Sequence, residues 1–222
     1  MDLTAADTAL VVTDPQNDVL RAGNPVWPLV GPALAAHRTV ENLHRLFSAA
    51  GEHGFGVHVS PHYNFATDLG WRFGGPIERT MHEAGMFARP GALTLDGFPG
   101  SGADWLPELA PFIEDGRTVV TSPHKVFGPQ TNDLVLQLRK RGVTRVVLAG
   151  MLANLCVESH LRDLLENGFR CAVVSDAVAA PQHPEFGDGN TAAAINHRFL
   201  TDDVLTTDQV VEQFTRSPRS TP

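Results

Sequence analysis

Cysteine is scarce in this chain: only Cys156 and Cys171 occur among 222 residues. Two thiols are too few for the disulfide framework that staples small secreted domains. Positive charge is also short, with 17 Lys and Arg against 25 Asp and Glu and a formal net charge of −8. That balance gives no electrostatic reason to bind the phosphates of nucleic acid or an anionic membrane surface. No apolar run approaches the roughly 20 residues that a membrane-spanning helix needs. The start, Met1-Asp2-Leu3-Thr4-Ala5-Ala6-Asp7, lacks the basic flank of a secretory signal, so the cytoplasm is the expected compartment. Internal repeats and interdomain linkers are missing, and only Arg216 to Pro222 reads as a frayed tail. What is there, 42% hydrophobic and 19% charged residues, is the composition of a soluble globular enzyme. One domain over residues 1–222 accommodates it.

Short β-branched runs alternate with stretches of helical period, which predicts repeated βα units. The strand candidates are Thr8 to Thr13, Gly56 to Ser60, Thr118 to Ser122, Arg145 to Ala149, Cys171 to Ser175 and Asp203 to Leu205. Most are uniformly apolar, as parallel strands covered on both faces are. Ala36, Val40, Leu43, Phe47 and Ala50 put one apolar stripe on a helix ended by Gly51 and Gly54. A second helix starts after Thr131 as N-cap with Leu134, Val135 and Leu138, and a third carries Val157, Leu161, Leu164 and Leu165 as far as Gly168. Right-handed crossovers then predict an α/β protein, a three-layer α/β/α sandwich. The stretch from Pro61 to Asp104 breaks the rhythm and is rich in Gly, Pro and aromatic residues. Excursions of that length are substrate lids, packed Ω-loops or subunit contacts, and all three readings stay open.

Ligands of open parallel sheets sit beyond the carboxyl ends of the strands. The first run delivers Asp14 in Asp14-Pro15-Gln16-Asn17-Asp18, either a reactive acid or ordinary turn chemistry. The third ends in Pro123-His124-Lys125, where a lysine lowers a thiol pKa, holds a carboxylate or merely faces solvent. The fourth leads through Gly150-Met151-Leu152-Ala153-Asn154-Leu155 to Cys156 in the first turn of a helix. Unpaired N–H groups there stabilise a thiolate or an oxyanion, whereas the bland alternative is a buried core cysteine. Cys171, at the start of an apolar strand, is assigned to the core.

Taken together, Asp14 in its segment, Lys125 with Thr131-Asn132-Asp133-Leu134, and Gly150 through Val157 resemble the isochorismatase-like cysteine hydrolases. That group contains nicotinamidases, carbamoylsarcosine amidases and ureidoacrylate hydrolases, and the likeness spans nearly the whole chain. It implies a six-stranded parallel sheet of order 3-2-1-4-5-6 with Asp14 and Cys156 facing each other. It further implies Asp14 as proton acceptor, Cys156 as nucleophile and Lys125 as the group that orients the acid. The resemblance also implies a cis peptide at Met151–Leu152, with the N–H groups of Leu152 and Cys156 as oxyanion hole.

Two departures bear on specificity. Ala153 stands where many relatives have Ser or Thr. Nicotinamidases carry an Asp-x-His metal element after the second strand, where this chain reads Ser60-Pro61-His62, so the acidic ligand is absent and neither metal nor other cofactor is expected. The presence of Cys156 favours C–N bond hydrolysis of a small amide, imide, lactam or ureido compound. A vinyl-ether hydrolase and a non-catalytic binding protein are the alternatives. Trp27, His62, Tyr63, Phe65, Trp71 and Arg72 are the candidate substrate-binding residues, each otherwise a packed lid or subunit contact. The expected partners are a small molecule and further copies of the chain.

Overall fold

The computed structural model describes residues 1–185 and 187–217; the end of the tail, 218–222, lies outside them. The central sheet has six strands: β1 (Thr8–Thr13), β2 (Gly56–Ser60), β3 (Val119–Val120), β4 (Arg145–Met151), β5 (Arg170–Ala179) and β6 (Asp203–Leu205). All are parallel, in the order β3-β2-β1-β4-β5-β6 that the resemblance implies. The principal helices are α1 (Trp27–His37), α2 (Thr39–His53), α3 (Pro76–Glu83), α4 (Leu134–Lys140), α5 (Glu158–Glu166), α6 (Gly189–Leu200) and α7 (Thr207–Arg216).

Strand alternation sends the side chains of β1 into two cores. Leu10 and Val12 join Val57, Val59, Val147 and Ala149 beneath Leu43 and Phe47 of α2 and Phe214 of α7. Ala9 and Val11 join Val146, Leu148 and Val173 beneath Leu134 and Leu138 of α4 and Leu161 and Leu164 of α5. Helices on both faces thus make the three-layer sandwich.

Several boundaries differ from the sequence reading. β3 covers only Val119–Val120, because it is an edge strand paired with β2 alone and Pro123 has no N–H to extend the ladder. The Ala36 to Ala50 stripe is broken at Arg38, whose φ of 53° turns α1 into α2. α2 runs through Gly51 and ends at Gly54, φ 78°. Thr131 closes a 3₁₀ turn, Pro129–Thr131, instead of capping α4. The residue before α4 is Asp133, whose carboxylate accepts from the Ser122 N–H at 2.8 Å. The excursion after Pro61 is itself structured: Asn64–Phe65 pairs in parallel with Ala88–Arg89, and α3 lies between them.

Thr13 pairs with Ser60 on one side and Gly150 on the other. β1, β2 and β4 therefore release the chain toward Asp14, Pro61 and Leu152 along one edge, at the point where the strand order reverses.

Candidate active site

Asp14 leaves β1 with φ 49°, a left-handed conformation that Asp tolerates better than most residues. The end of β1 lies close against β4 because Gly150, φ 110°, has no side chain: a Cβ there would stand 2.1 Å from the Thr13 carbonyl oxygen. Thr13 Oγ1 reaches over this contact to donate to the Met151 carbonyl at 2.9 Å. Asp14 is 1% exposed, and burial pushes its carboxyl pKa up to about 6 against the opposing pull of nearby His62 and His160.

Cys156 sits in a wide π-type turn, Ala153–Val157, that follows a cis Met151–Leu152 peptide and runs into α5. Burial first, and then the Asp14 charge, push its thiol well above the ordinary range. The backbone groups of Leu152 and Cys156 hydrogen-bond toward the sulfur and pull the other way. The resting thiol is therefore protonated, with backbone hydrogen-bond donors beside it.

Three buried imidazoles close the centre. His124 Nε2 shares a hydrogen bond of 2.7 Å with Asp14 Oδ1. His160 lies four residues beyond Cys156 and donates from Nδ1 to the Cys156 carbonyl at 2.7 Å. Its other nitrogen then accepts from Ser60 Oγ at 2.8 Å, and that oxygen in turn accepts from Asn132 Nδ2 at 2.9 Å. His62 stacks on Phe87 with ring centroids 4.5 Å apart, and its ring meets no side-chain hydrogen-bond partner. Desolvation lowers the pKa of all three to about 3, so each is neutral at physiological pH. A ring nitrogen of His62 and of His124, an Asp14 oxygen and Cys156 Sγ all lie within 4.8 Å of one another.

Of the residues singled out in the sequence, Asp14, His62, Leu152 and Cys156 come together here. Lys125 does not join them. Its ammonium donates to Asp68 Oδ2 at 2.5 Å and to the Tyr63 carbonyl at 3.2 Å, with Nζ 3.6 Å from the centre of the Phe65 ring. The reason lies in extended backbone, where neighbours point to opposite sides: His62 and His124 pair as an isolated parallel bridge, and this turns His124 inward and Lys125 away. Tyr63 is buried against Arg89, whose guanidinium carbon lies 4.6 Å from the ring centre. Trp27 packs against the core at Gly31. Trp71 and Arg72 are exposed, and Trp71 meets His82 of α3. Cys171 lies in the α4/α5 core as expected, its thiol pushed up to about 12 by burial.

Sequence reasoning missed His124, His160 and Gln16. The signal for His160 was its i+4 spacing from Cys156, which places both on one helical face. Gln16 is fully buried: Nε2 donates to the carbonyls of His62, at 2.9 Å, and Ala103, at 2.7 Å, while Oε1 accepts from His62 N–H at 2.8 Å. It ties both ends of the Pro61 to Asp104 excursion to the strand-one turn.

A sequence profile for the isochorismatase domain matches residues 8–209. The chain belongs to the isochorismatase family. It is 28% identical over 200 residues to the isochorismatase family protein YecD of Escherichia coli O157:H7, covering 89% of this chain and 90% of that one. It is 29% identical over 187 residues to the ureidoacrylate amidohydrolase RutB of Variovorax paradoxus (strain S110), covering 79% and 69%. In fold it is similar to the crystal structure of a cysteine hydrolase from Pseudomonas syringae pv. phaseolicola 1448A, with a TM-score of 0.78 at 19% identity over 97% of this chain and 95% of that one. As an isochorismatase-family chain it stands among hydrolases, some of which act on C–N amide bonds.

Proposed function

We propose that this isochorismatase-family chain is a cysteine hydrolase that cleaves a C–N bond of a small amide, imide, lactam or ureido compound through a covalent acyl-enzyme. The observation that carries this reading is the placement of an Asp14 carboxylate oxygen and Cys156 Sγ within 4.8 Å of each other. The Leu152 and Cys156 backbone groups turned to that sulfur support it.

Asp14 accepts the thiol proton as Sγ attacks the carbonyl carbon, and the N–H groups of Leu152 and Cys156 hold the oxyanion. Collapse breaks the C–N bond, and the leaving nitrogen takes the proton back from Asp14. Water, deprotonated by the same carboxylate, then attacks the thioester and frees the acid and the thiol. Neutral His62 offers the substrate a hydrogen-bond donor and an acceptor. The amidohydrolase named among the relatives supports the C–N class.

An ammonia-release screen over amides, imides and ureido compounds tests the reading. Cys156→Ala is expected to lose several orders of magnitude in turnover on any substrate found, and intact-mass spectrometry is expected to catch an acyl adduct on the unsubstituted protein. Full turnover by Cys156→Ala contradicts the acyl-enzyme and points instead to vinyl-ether hydrolysis, with Asp14 protonating the substrate and Cys156 a bystander.

A further inference from the structure

Ser60 stands where nicotinamidases carry the acidic residue of their Asp-x-His metal element, and its hydroxyl is committed to His160. The fold nevertheless assembles a different donor set. A carboxylate oxygen of Asp14, a ring nitrogen each of His62 and His124, and Cys156 Sγ converge within 4.8 Å of one another. These positions are scattered over the chain, so no local spacing announces them.

We propose that Asp14, His62, His124 and Cys156 form a binding site for one divalent transition-metal ion of the zinc class, and that the bound ion silences the nucleophile. Three observations support it. Nitrogen, sulfur and carboxylate oxygen are the donors that zinc takes in four-coordinate sites. Charge balances: the thiol proton leaves to solvent, so one thiolate, one carboxylate and two neutral imidazoles bring a buried dication to zero net charge. Buried ions are tolerated under that condition. Last, His62 is wholly buried in the centre with no side-chain hydrogen-bond partner on its ring, and His124 Nδ1 lacks a partner. Buried polar atoms of that kind are costly unless something satisfies them. The ion uses the sulfur lone pair and the carboxylate that the hydrolytic cycle needs, so metal binding and attack on a carbonyl exclude each other. This proposal stands on the donor geometry and holds whether or not the acyl-enzyme reading does.

The test uses the full chain, stripped of metal by a chelator and desalted, then titrated with zinc chloride, with cobalt(II) as spectroscopic probe. One zinc per chain is expected to survive desalting and to slow alkylation of Cys156 by iodoacetamide by at least about tenfold, without slowing that of Cys171 in the unfolded chain. The cobalt form is expected to show near-ultraviolet thiolate charge transfer and the strong visible bands of a four-coordinate ion. His62→Phe keeps a ring stacked on Phe87 but offers no donor. It is expected to weaken zinc binding by roughly 10- to 100-fold, at least what loss of an outer-sphere partner costs. Cys156→Ser, a near-isosteric change independent of His62→Phe, is expected to remove the charge-transfer band, with its far-ultraviolet circular dichroism checked against the unsubstituted chain. The proposal is overturned if no zinc is retained, if cobalt binds without thiolate absorption, if both variants bind like the unsubstituted chain, or if bound zinc leaves Cys156 alkylation unchanged.

Discussion

In the proposed mechanism Asp14 is the residue on which the chemistry turns, and its carboxylate meets an imidazole where a lysine was expected. His124 hydrogen-bonds the carboxylate beside Cys156, whereas Lys125 is committed to Asp68 and the Tyr63 carbonyl. In metal-free protein, Lys125→Ala is therefore expected to leave the pH midpoint of Cys156 reactivity in place. His124→Phe, which removes a hydrogen bond to the carboxylate, is expected to move that midpoint up. A lysine variant that shifts the midpoint instead restores Lys125 as the orienting group. Burial of Asp14 also has a thermodynamic signature. Its folded pKa of about 6 lies above the ordinary 3.8, so its contribution to stability is fully present below pH 3.8 and is lost as pH rises through about 6. Asp14→Asn is accordingly expected to gain about 3 kcal/mol at pH 8 relative to the parent, vanishing near pH 3, in urea unfolding at the two pH values. Equal effects at both would contradict the buried, raised carboxyl.

The strand ends were legible in the sequence because parallel strands read as apolar runs and the residue after each run is the one exposed to ligand. Asp14 and the Gly150–Cys156 loop were found that way. The Pro61 to Asp104 excursion was not, since α3 and the Asn64–Phe65 and Ala88–Arg89 pair are too short for periodicity to register. Its position now bears on access. Phe87 stacks on His62, and its N–H donates to Asp18 Oδ2 at 2.5 Å, so the excursion covers the centre from above. Phe87→Ala is expected to speed alkylation of Cys156, at a stability cost on the order of 3 kcal/mol. An unchanged rate would mean that reagent enters by another route. The inward turn of His124 was illegible for a different reason: which of two adjacent residues faces the site depends on the register of the His62–His124 bridge, a long-range contact that no local pattern encodes.

Taken as a whole, the chain hides an unusual number of neutral histidines. His58, His62, His124 and His160 are fully buried, with pKa values near 4 for the first and near 3 for the others, below the usual 6.5. Their stability is present above pH 6.5 and lost as pH falls, while Asp14 works in the opposite direction. Near pH 5 the unfolded chain thus binds about three more protons, and stability is expected to fall by about 4 kcal/mol per pH unit. A melting temperature flat from pH 7 to 5 would refute this. No described helix is long and apolar enough to cross a membrane. The excursion does expose Leu69, Trp71, Phe73 and Leu95, with Phe73 90% accessible. Exposed apolar side chains gathered in one segment suit a protein contact, so sedimentation at micromolar concentration is expected to show a dimer or larger, and a monomer would contradict it.

The most direct check on the Asp14–Cys156 pair is the alkylation rate of Cys156 against pH, read by peptide mass spectrometry in chelator-treated protein with Cys171 as internal control. If Asp14 accepts the thiol proton, the Cys156 rate rises through about pH 6, far exceeds that of Cys171, and collapses in Asp14→Asn. If Cys156 reacts no faster than Cys171, or if Asp14→Asn leaves its profile unchanged, the nucleophile–base pair does not exist.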